Sequence, residues 1–180
     1  MKPVLFLDFD RTLFDTDKLY EWLGKERFTR ILELTGGVID PPDYASYLYP
    51  DTAPFLKKMR ASYRLVLLTF AQNTKLQRMK VRGSGIVPLL DDVIITIGDE
   101  QGQTGKGDAI REYQKRTGDS GWEHIFVDDN PDNLREVKIM NPDVRVIRID
   151  RPSVPFTEPI TNATTPDAVV KNLIELEKLL

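Results

Sequence analysis

Two aspartates separated by one residue, Asp8 and Asp10, close a short apolar run that begins at Pro3. A spacing of two places both carboxylates on one side of an extended chain. Two acids at the end of a buried strand cost several kcal/mol unless a cation or hydrogen bonds compensate, and a divalent ion that prefers oxygen ligands is the natural partner. Other apolar runs also end in polar groups. Asp128 and Asp129 follow Val127, Thr69 ends the run from Arg64 to Leu68, and Lys106 follows the run from Val93 to Thr96. If these runs are strands of one sheet, four of them deliver polar groups to the same edge, and that convergence points to a site.

The elements that would hold these residues are legible as alternation. Short β-branched or leucine-rich runs at Pro3–Leu7, Arg64–Leu68, Val93–Thr96, His124–Val127 and Val144–Ile149 read as buried strands. Helical patterns follow four of them, which argues for an α/β fold: a parallel five-stranded sheet with helices on both faces. Asn73 is placed to cap a helix running to about Arg82 and stopped by Gly83 and Gly85. Lys106 to about Thr117 carries Ala109, Ile110 and Tyr113 on one face, and Asn130-Pro131 is a helix start. A last helix is expected from Thr165-Pro166, burying Val169, Val170, Leu173 and Leu176. The loop Arg151–Thr164 before it is rich in proline and threonine.

The first strand breaks this rhythm. About forty residues separate it from the helix expected at Asp51–Arg60, far more than a strand-to-helix connection needs. Within the gap, Asp17–Leu34 has helical spacing at Leu19, Leu23, Phe28, Ile31 and Leu32, with Gly36-Gly37 as the stop. The expected division is a core of residues 1–14 and 50–180 with a small helical cap at 15–49, inserted at the sheet edge where open α/β folds bind ligands.

Composition bounds the partners. A chain of 180 residues holds one packed domain plus a modest insertion. A net charge of −3 gives no general attraction to nucleic acid or anionic membrane. The absence of cysteine excludes disulfides and thiolate zinc sites, and the single histidine, His124, excludes a multi-histidine metal site. The run before Asp8 is too short for a signal-peptide core, and no stretch reaches the ~20 apolar residues of a membrane span. A cytoplasmic protein fits these features best; the oligomeric state stays open.

The stretch LFLDFDRTLF resembles the first motif of the haloacid dehalogenase-like (HAD) hydrolase superfamily, an apolar strand ending in D-x-D-x-T. Thr69 in LVLLTF resembles the second motif, Lys106 in QTGKGDAI the third, and Asp128-Asp129 in IFVDDNPDNL the acidic fourth. All four stand in the family's order, and the resemblance covers about Lys2 to Ile149. It implies a Rossmann-like core and a magnesium-dependent phosphatase of the small-cap type, acting on a small-molecule phosphate monoester. Asp8 would be the nucleophile that becomes an aspartyl-phosphate. Asp10 would be the general acid and then the base, partly protonated in the substrate complex while Asp8 stays ionised. Mg2+ would contact the Asp8 carboxylate, the Asp10 backbone carbonyl, and Asp129 with or without Asp128. Thr69 and Lys106 would bind the phosphoryl group or offset its charge. The preference for phosphate rests on Asp10, because relatives that cleave carbon–halogen bonds lack that second aspartate. The same intermediate would also serve a phosphotransferase or phosphomutase, and a receiver-like phosphate-responsive binding module uses similar residues without turnover.

Several residues have a second reading. Asn73 stands where some relatives make a phosphoryl contact, and a helix cap explains it equally well. Asn133 stands where some relatives carry another acid. Asp132 suits the dipole of a first helical turn, Lys75 is expected to be exposed, and His124 is expected to be a strand residue and not a catalyst. Tyr44, Tyr47 and Tyr49 are expected to pack the insertion. Arg11 replaces the glycine or asparagine often seen there and would alter the loop.

Overall fold

The computed structural model describes residues 2–97, 105–118, 123–151 and 165–180. The strands are β1 (Val4–Leu7), β2 (Arg64–Ala71), β3 (Asp92–Ile97), β4 (Ile125–Asp128), β5 (Arg145–Ile149) and β6 (Ala168–Val170). They form one sheet in the order β3-β2-β1-β4-β5-β6, and every pairing is parallel. From β1 the chain winds outward to β3 on one side, then returns and winds from β4 to β6 on the other. The switch point therefore lies between β1 and β4, where ligands bind in open α/β sheets.

Both faces of β1 are buried, and its alternate residues feed two cores. Leu5 and Leu7 pack with Phe55, Leu56 and Met59 of α3 (Thr52–Met59), Val81 of α4 (Thr74–Gly83), and Leu173 and Leu176 of α7 (Leu173–Leu179). Val4 and Phe6 pack on the opposite face with Ala109, Ile110 and Tyr113 of α5 (Lys106–Thr117) and Leu134 and Val137 of α6 (Pro131–Met140). A strand covered on both sides reads as a continuous apolar run, which is why β1 shows no alternation in the sequence.

Among the described residues the sheet has six strands where five were expected. Val169-Val170, assigned to the last helix from sequence, belongs to β6 instead: Val170 pairs with Ile149, and Val169 is exposed. The helix begins only after Asn172, whose side chain accepts from Glu175 N at 2.8 Å, while Glu175 Oε2 reaches back to Lys171 N at 2.8 Å. That reciprocal arrangement is close to a capping box and sets the helix start about two turns later than the apolar pattern suggested. Residues 152–164 of the proline- and threonine-rich loop lie outside the described residues.

The insertion after β1 holds two helices, α1 (Thr16–Leu23) and α2 (Arg27–Gly36), and a 3-10 turn at Tyr44–Tyr47. The single helix expected at Asp17–Leu34 is interrupted at Gly24, whose φ of 70° glycine alone adopts without strain. The break rotates α2, so Phe28 and Leu32, expected inward, are exposed, and Leu34 is buried instead. The two ends of the insertion meet. Asp15 N donates to Tyr47 O at 2.7 Å and Tyr49 N donates to Leu13 O at 3.1 Å, on either side of an antiparallel bridge between Phe14 and Leu48. Tyr44 and Tyr47 are buried in the packing between this segment and the core. Among the described residues no helix is long and apolar enough to cross a membrane.

Candidate active site

The site is built where β1 and β4 end side by side. Asp8 continues the β1 ladder by one bond, donating its N–H to Val127 O at 2.9 Å, so its side chain stands beside that of Asp128. Ligand oxygens of Asp8, Asp128 and Asp129 all lie within 4.8 Å of one another. Asp8 and Asp128 are buried and Asp129 is half-buried. Lys106, also buried, bridges the first two: its Nζ donates to Asp8 Oδ1 at 2.5 Å and to Asp128 Oδ2 at 2.6 Å. Asp128 is further fixed by Asn130 N at 2.7 Å on Oδ1 and Asn133 Nδ2 at 3.0 Å on Oδ2. Asn133 thus holds an acid in place.

Lys106 reaches this position because α5 starts very close to α6. A Cβ on Gly107 would lie 2.7 Å from Met140 Sδ and 3.1 Å from Met140 Cβ, so any larger residue would force Met140 to shift. The approach is tied by Gly107 N donating to Glu136 Oε1 at 3.0 Å and Asn141 Nδ2 donating to Gly107 O at 2.9 Å. A lysine in the first turn opposes the helix dipole. Here two buried carboxylates overcome that disadvantage.

Asp10 turns elsewhere. Its Oδ1 accepts from Thr16 Oγ1 at the start of α1 and from Lys80 Nζ on α4, and its Oδ2 accepts from Gln77 Nε2 at 2.7 Å. Gln77 Nε2 also lies 2.8 Å from Thr69 Oγ1, which ties the β2 threonine to the same group. Asn73 Oδ1 accepts from Leu76 N at 2.9 Å, the geometry of a helix cap. Arg11 takes the left-handed conformation (φ 57°), where glycine or asparagine is less strained. Its guanidinium pairs with Asp17, Nη2 to Oδ1 at 2.7 Å, at the foot of α1. The turn is clamped from behind by Arg151, which donates to Thr12 O at 2.9 Å and pairs with both oxygens of Asp51 at 2.8 and 2.9 Å.

The surroundings sort the acids. Burial raises Asp8, Lys106 pulls it back, and Asp128 and Asp10 raise it again, to about 7. Burial together with Asp128 and Asp8 raises Asp129 to about 8, against Lys106 and Arg11. Burial also opposes the charge on Asp10, but Lys80, Thr16 and Gln77 outweigh it and hold Asp10 below the usual carboxylate range. Lys106 is raised, because Asp128 and Asp8 overcome its burial. Without a bound cation Asp8 is therefore the raised acid and Asp10 the lowered one; the sequence expectation of an ionised Asp8 beside a protonatable Asp10 concerns the substrate complex. The physical reason is that three acids share one lysine in the cluster, whereas Asp10 has Lys80 to itself. Carboxylates short of positive charge, offering only hard oxygen donors, fit a divalent cation such as magnesium.

Of the expected residues, the structure brings Asp8, Asp128, Asp129 and Lys106 into one cluster and Asp10 and Thr69 into a second network beside it. Lys75 and Asp132 are exposed, and His124 is buried beside β1, its Nδ1 3.4 Å from Val4 N. Sequence reading missed Lys80, Gln77 and Thr16. The available signal was polar residues at the inner-face positions of the helix capped by Asn73, four and seven residues beyond the cap.

No protein-family model matches the chain, and no curated protein does. Solved structures do. A haloacid dehalogenase-like hydrolase of Burkholderia xenovorans superposes with a TM-score of 0.75 at 19% identity, covering 99% of this chain and 97% of that one. A magnesium-bound HAD hydrolase of Bacillus subtilis gives 0.68 at 16% identity, over 99% and 98%. The L-2-haloacid dehalogenase of Xanthobacter autotrophicus with chloropropionic acid covalently bound gives 0.67 at 20% identity, over 99% and 98%. The sheet order, the insertion after β1 and these likenesses across nearly the whole length agree: the chain has the haloacid dehalogenase-like hydrolase fold.

Proposed function

We propose that the protein is a magnesium-dependent phosphatase of the HAD superfamily, hydrolysing a small-molecule phosphate monoester through an aspartyl-phosphate on Asp8. The observation that carries this reading is the pair of acids two residues apart in separate networks, one in a lysine-bridged carboxylate cluster and one held by Lys80, Gln77 and Thr16.

Asp8 Oδ attacks phosphorus, the ester P–O bond breaks, and the departing alcohol takes a proton from Asp10. Asp10 is ionised in the free protein and takes up that proton in the substrate complex, where the phosphoryl charge favours its neutral form. Asp10 then removes a proton from water, the water oxygen attacks phosphorus, and the Asp8–phosphate bond breaks to release inorganic phosphate. Lys106 offsets the negative charge that gathers between Asp8 and the phosphoryl oxygens, and Thr69 Oγ donates to one of those oxygens. Asp8, Asp129, Asp128 and the Asp10 carbonyl would hold the magnesium, which when bound supplies positive charge to the phosphoryl oxygens and keeps Asp8 ionised. Residues 15–49 act as the cap over a core of 1–14 and 50–180. Thr16 at the start of α1 supports this, since its Oγ1 donates to Asp10 Oδ1. Asn73 is assigned to capping.

Dehalogenases share the fold, but Asp10 argues against that chemistry: carbon–halogen cleavage needs no proton for the leaving halide and no second acid. Magnesium-dependent phosphate release from an aryl phosphate tests the proposal. Inactivity of magnesium-loaded protein across a broad panel of phosphate esters would overturn it, and transfer of phosphate to a sugar hydroxyl would replace it with a phosphotransferase.

A further inference from the structure

Lys80 is the unexplained group in this site. It is a lysine on the inner face of α4, buried, with Nζ bonded to Asp10 and lying 5.6 and 5.5 Å from the ring centroids of Phe9 and Phe14. Those rings stack on each other at 4.9 Å, so the ammonium sits between one carboxylate and two aromatic faces. Burying a lysine to pair with a half-buried carboxylate contributes little to stability compared with apolar packing, so its presence asks for another reason. The geometry around Asp10 gives one. Both of its oxygens are engaged, Oδ1 by Lys80 and Thr16 and Oδ2 by Gln77. Among the described residues, the carboxylates close enough to share an ion are Asp8, Asp128 and Asp129, and Asp10 stands outside the group although it follows Asp8 by two residues.

We infer that Lys80 is a positioning residue: with Gln77 it holds the Asp10 carboxylate out of the metal cluster and keeps it available to the leaving oxygen of the ester. This rests on the phosphatase reading above. A carboxylate drawn onto a cation as a further ligand would no longer exchange a proton with substrate or water. Lys80 acts from a core helix, so the control is independent of whatever the insertion binds.

Two esters separate this role from a structural one. Phenyl phosphate needs its leaving oxygen protonated, and 2,4-dinitrophenyl phosphate does not. In Lys80→Met, kcat/KM for phenyl phosphate is expected to fall roughly 10²-fold or more, while that for the dinitrophenyl ester stays within about threefold. The second step also needs Asp10, so the dinitrophenyl ester should show a burst of one phenolate per enzyme before slow turnover. Lys80→Arg should recover at least about tenfold of the loss on phenyl phosphate, since it restores a cationic donor. Gln77→Leu, which leaves the Lys80–Asp10 charge pair intact, should show the same selectivity at smaller size, and it carries the test if Lys80→Met does not fold. Equal loss on both esters in a folded variant, or no loss on either, overturns the inference while leaving the phosphatase reading intact. No turnover of either ester by the magnesium-loaded wild type overturns both.

Discussion

Asp8 and Asp10 are two residues apart on one strand end, yet they live in different electrostatic worlds. Asp8 shares Lys106 with Asp128 and faces Asp129, so negative charge exceeds positive, and its carboxyl is raised to about 7. Asp10 has three donors arranged around it and is held below the usual range. Asp10 lies inside a tight turn that opens at Phe9, with Leu13 N and Phe14 N both donating to Phe9 O at 2.9 and 3.0 Å. That turn separates the two carboxylates, one toward α5 and the other toward α4. The lesson is that a motif spaced for two equivalent acids yields two different ones, because groups far away in the chain complete each environment.

The comparison breaks most visibly through the nucleophile. Asp8→Asn should abolish phosphate release, a fall on the order of 10⁴-fold or more by the precedent of other enzyme nucleophiles, measured as kcat/KM with an aryl phosphate. Asp10→Asn should lower kcat by roughly 10²–10⁴-fold, the range of general acid–base catalysis, and the loss should be larger for esters with poor leaving groups. Lys106→Met leaves Asp8 and Asp128 facing each other without their shared cation. Breaking a buried pair in this way costs about 3–5 kcal/mol. Chemical denaturation should show that loss, and added magnesium should restore part of it, since a ligand at a hundred times its Kd stabilises by about 2.7 kcal/mol. Asn133→Ala removes one hydrogen bond from Asp128 and should weaken magnesium binding about tenfold, at the low end for groups that orient metal ligands, as read by calorimetric titration.

A further effect is in pH. Asp8 and Asp129 are raised above 3.8 to about 7 and about 8 in the folded protein. Between those limits and the unfolded value the folded state binds more protons, so stability falls as pH rises from about 4 to about 8. Asp10 has the opposite sign, and its contribution is lost only as pH drops below the unfolded carboxylate range. Thermal melts of metal-free protein should therefore peak near the acidic end of that window, and saturating magnesium should flatten the decline. A melting temperature that rises steadily to pH 8 without metal would mean that Asp8 and Asp129 are not crowded as described.

Much of this was legible in the sequence because it is local. Buried parallel strands are continuous apolar runs, and helix starts such as Asn73 and Asn130 carry their caps with them. The acids at the strand ends were visible for the same reason. What escaped depends on long-range or competing effects. Val169-Val170 fits a helical stripe and a strand equally, and pairing with β5 decides for β6. Gly24 splits a helix whose apolar spacing continues through it. Gln77 and Lys80 look like solvated helix residues in sequence, and only the sheet brings them to Asp10 across separations of 67 and 70 residues.

The most direct test is to trap the covalent state. Protein turning over an aryl phosphate with magnesium is quenched in acid, reduced with borohydride and digested, and the peptide containing residue 8 is examined by mass spectrometry. An aspartyl-phosphate at Asp8 is reduced to homoserine at that position, and this is the expected result. Modification at any other residue, or undiminished turnover by Asp8→Asn, would contradict the account.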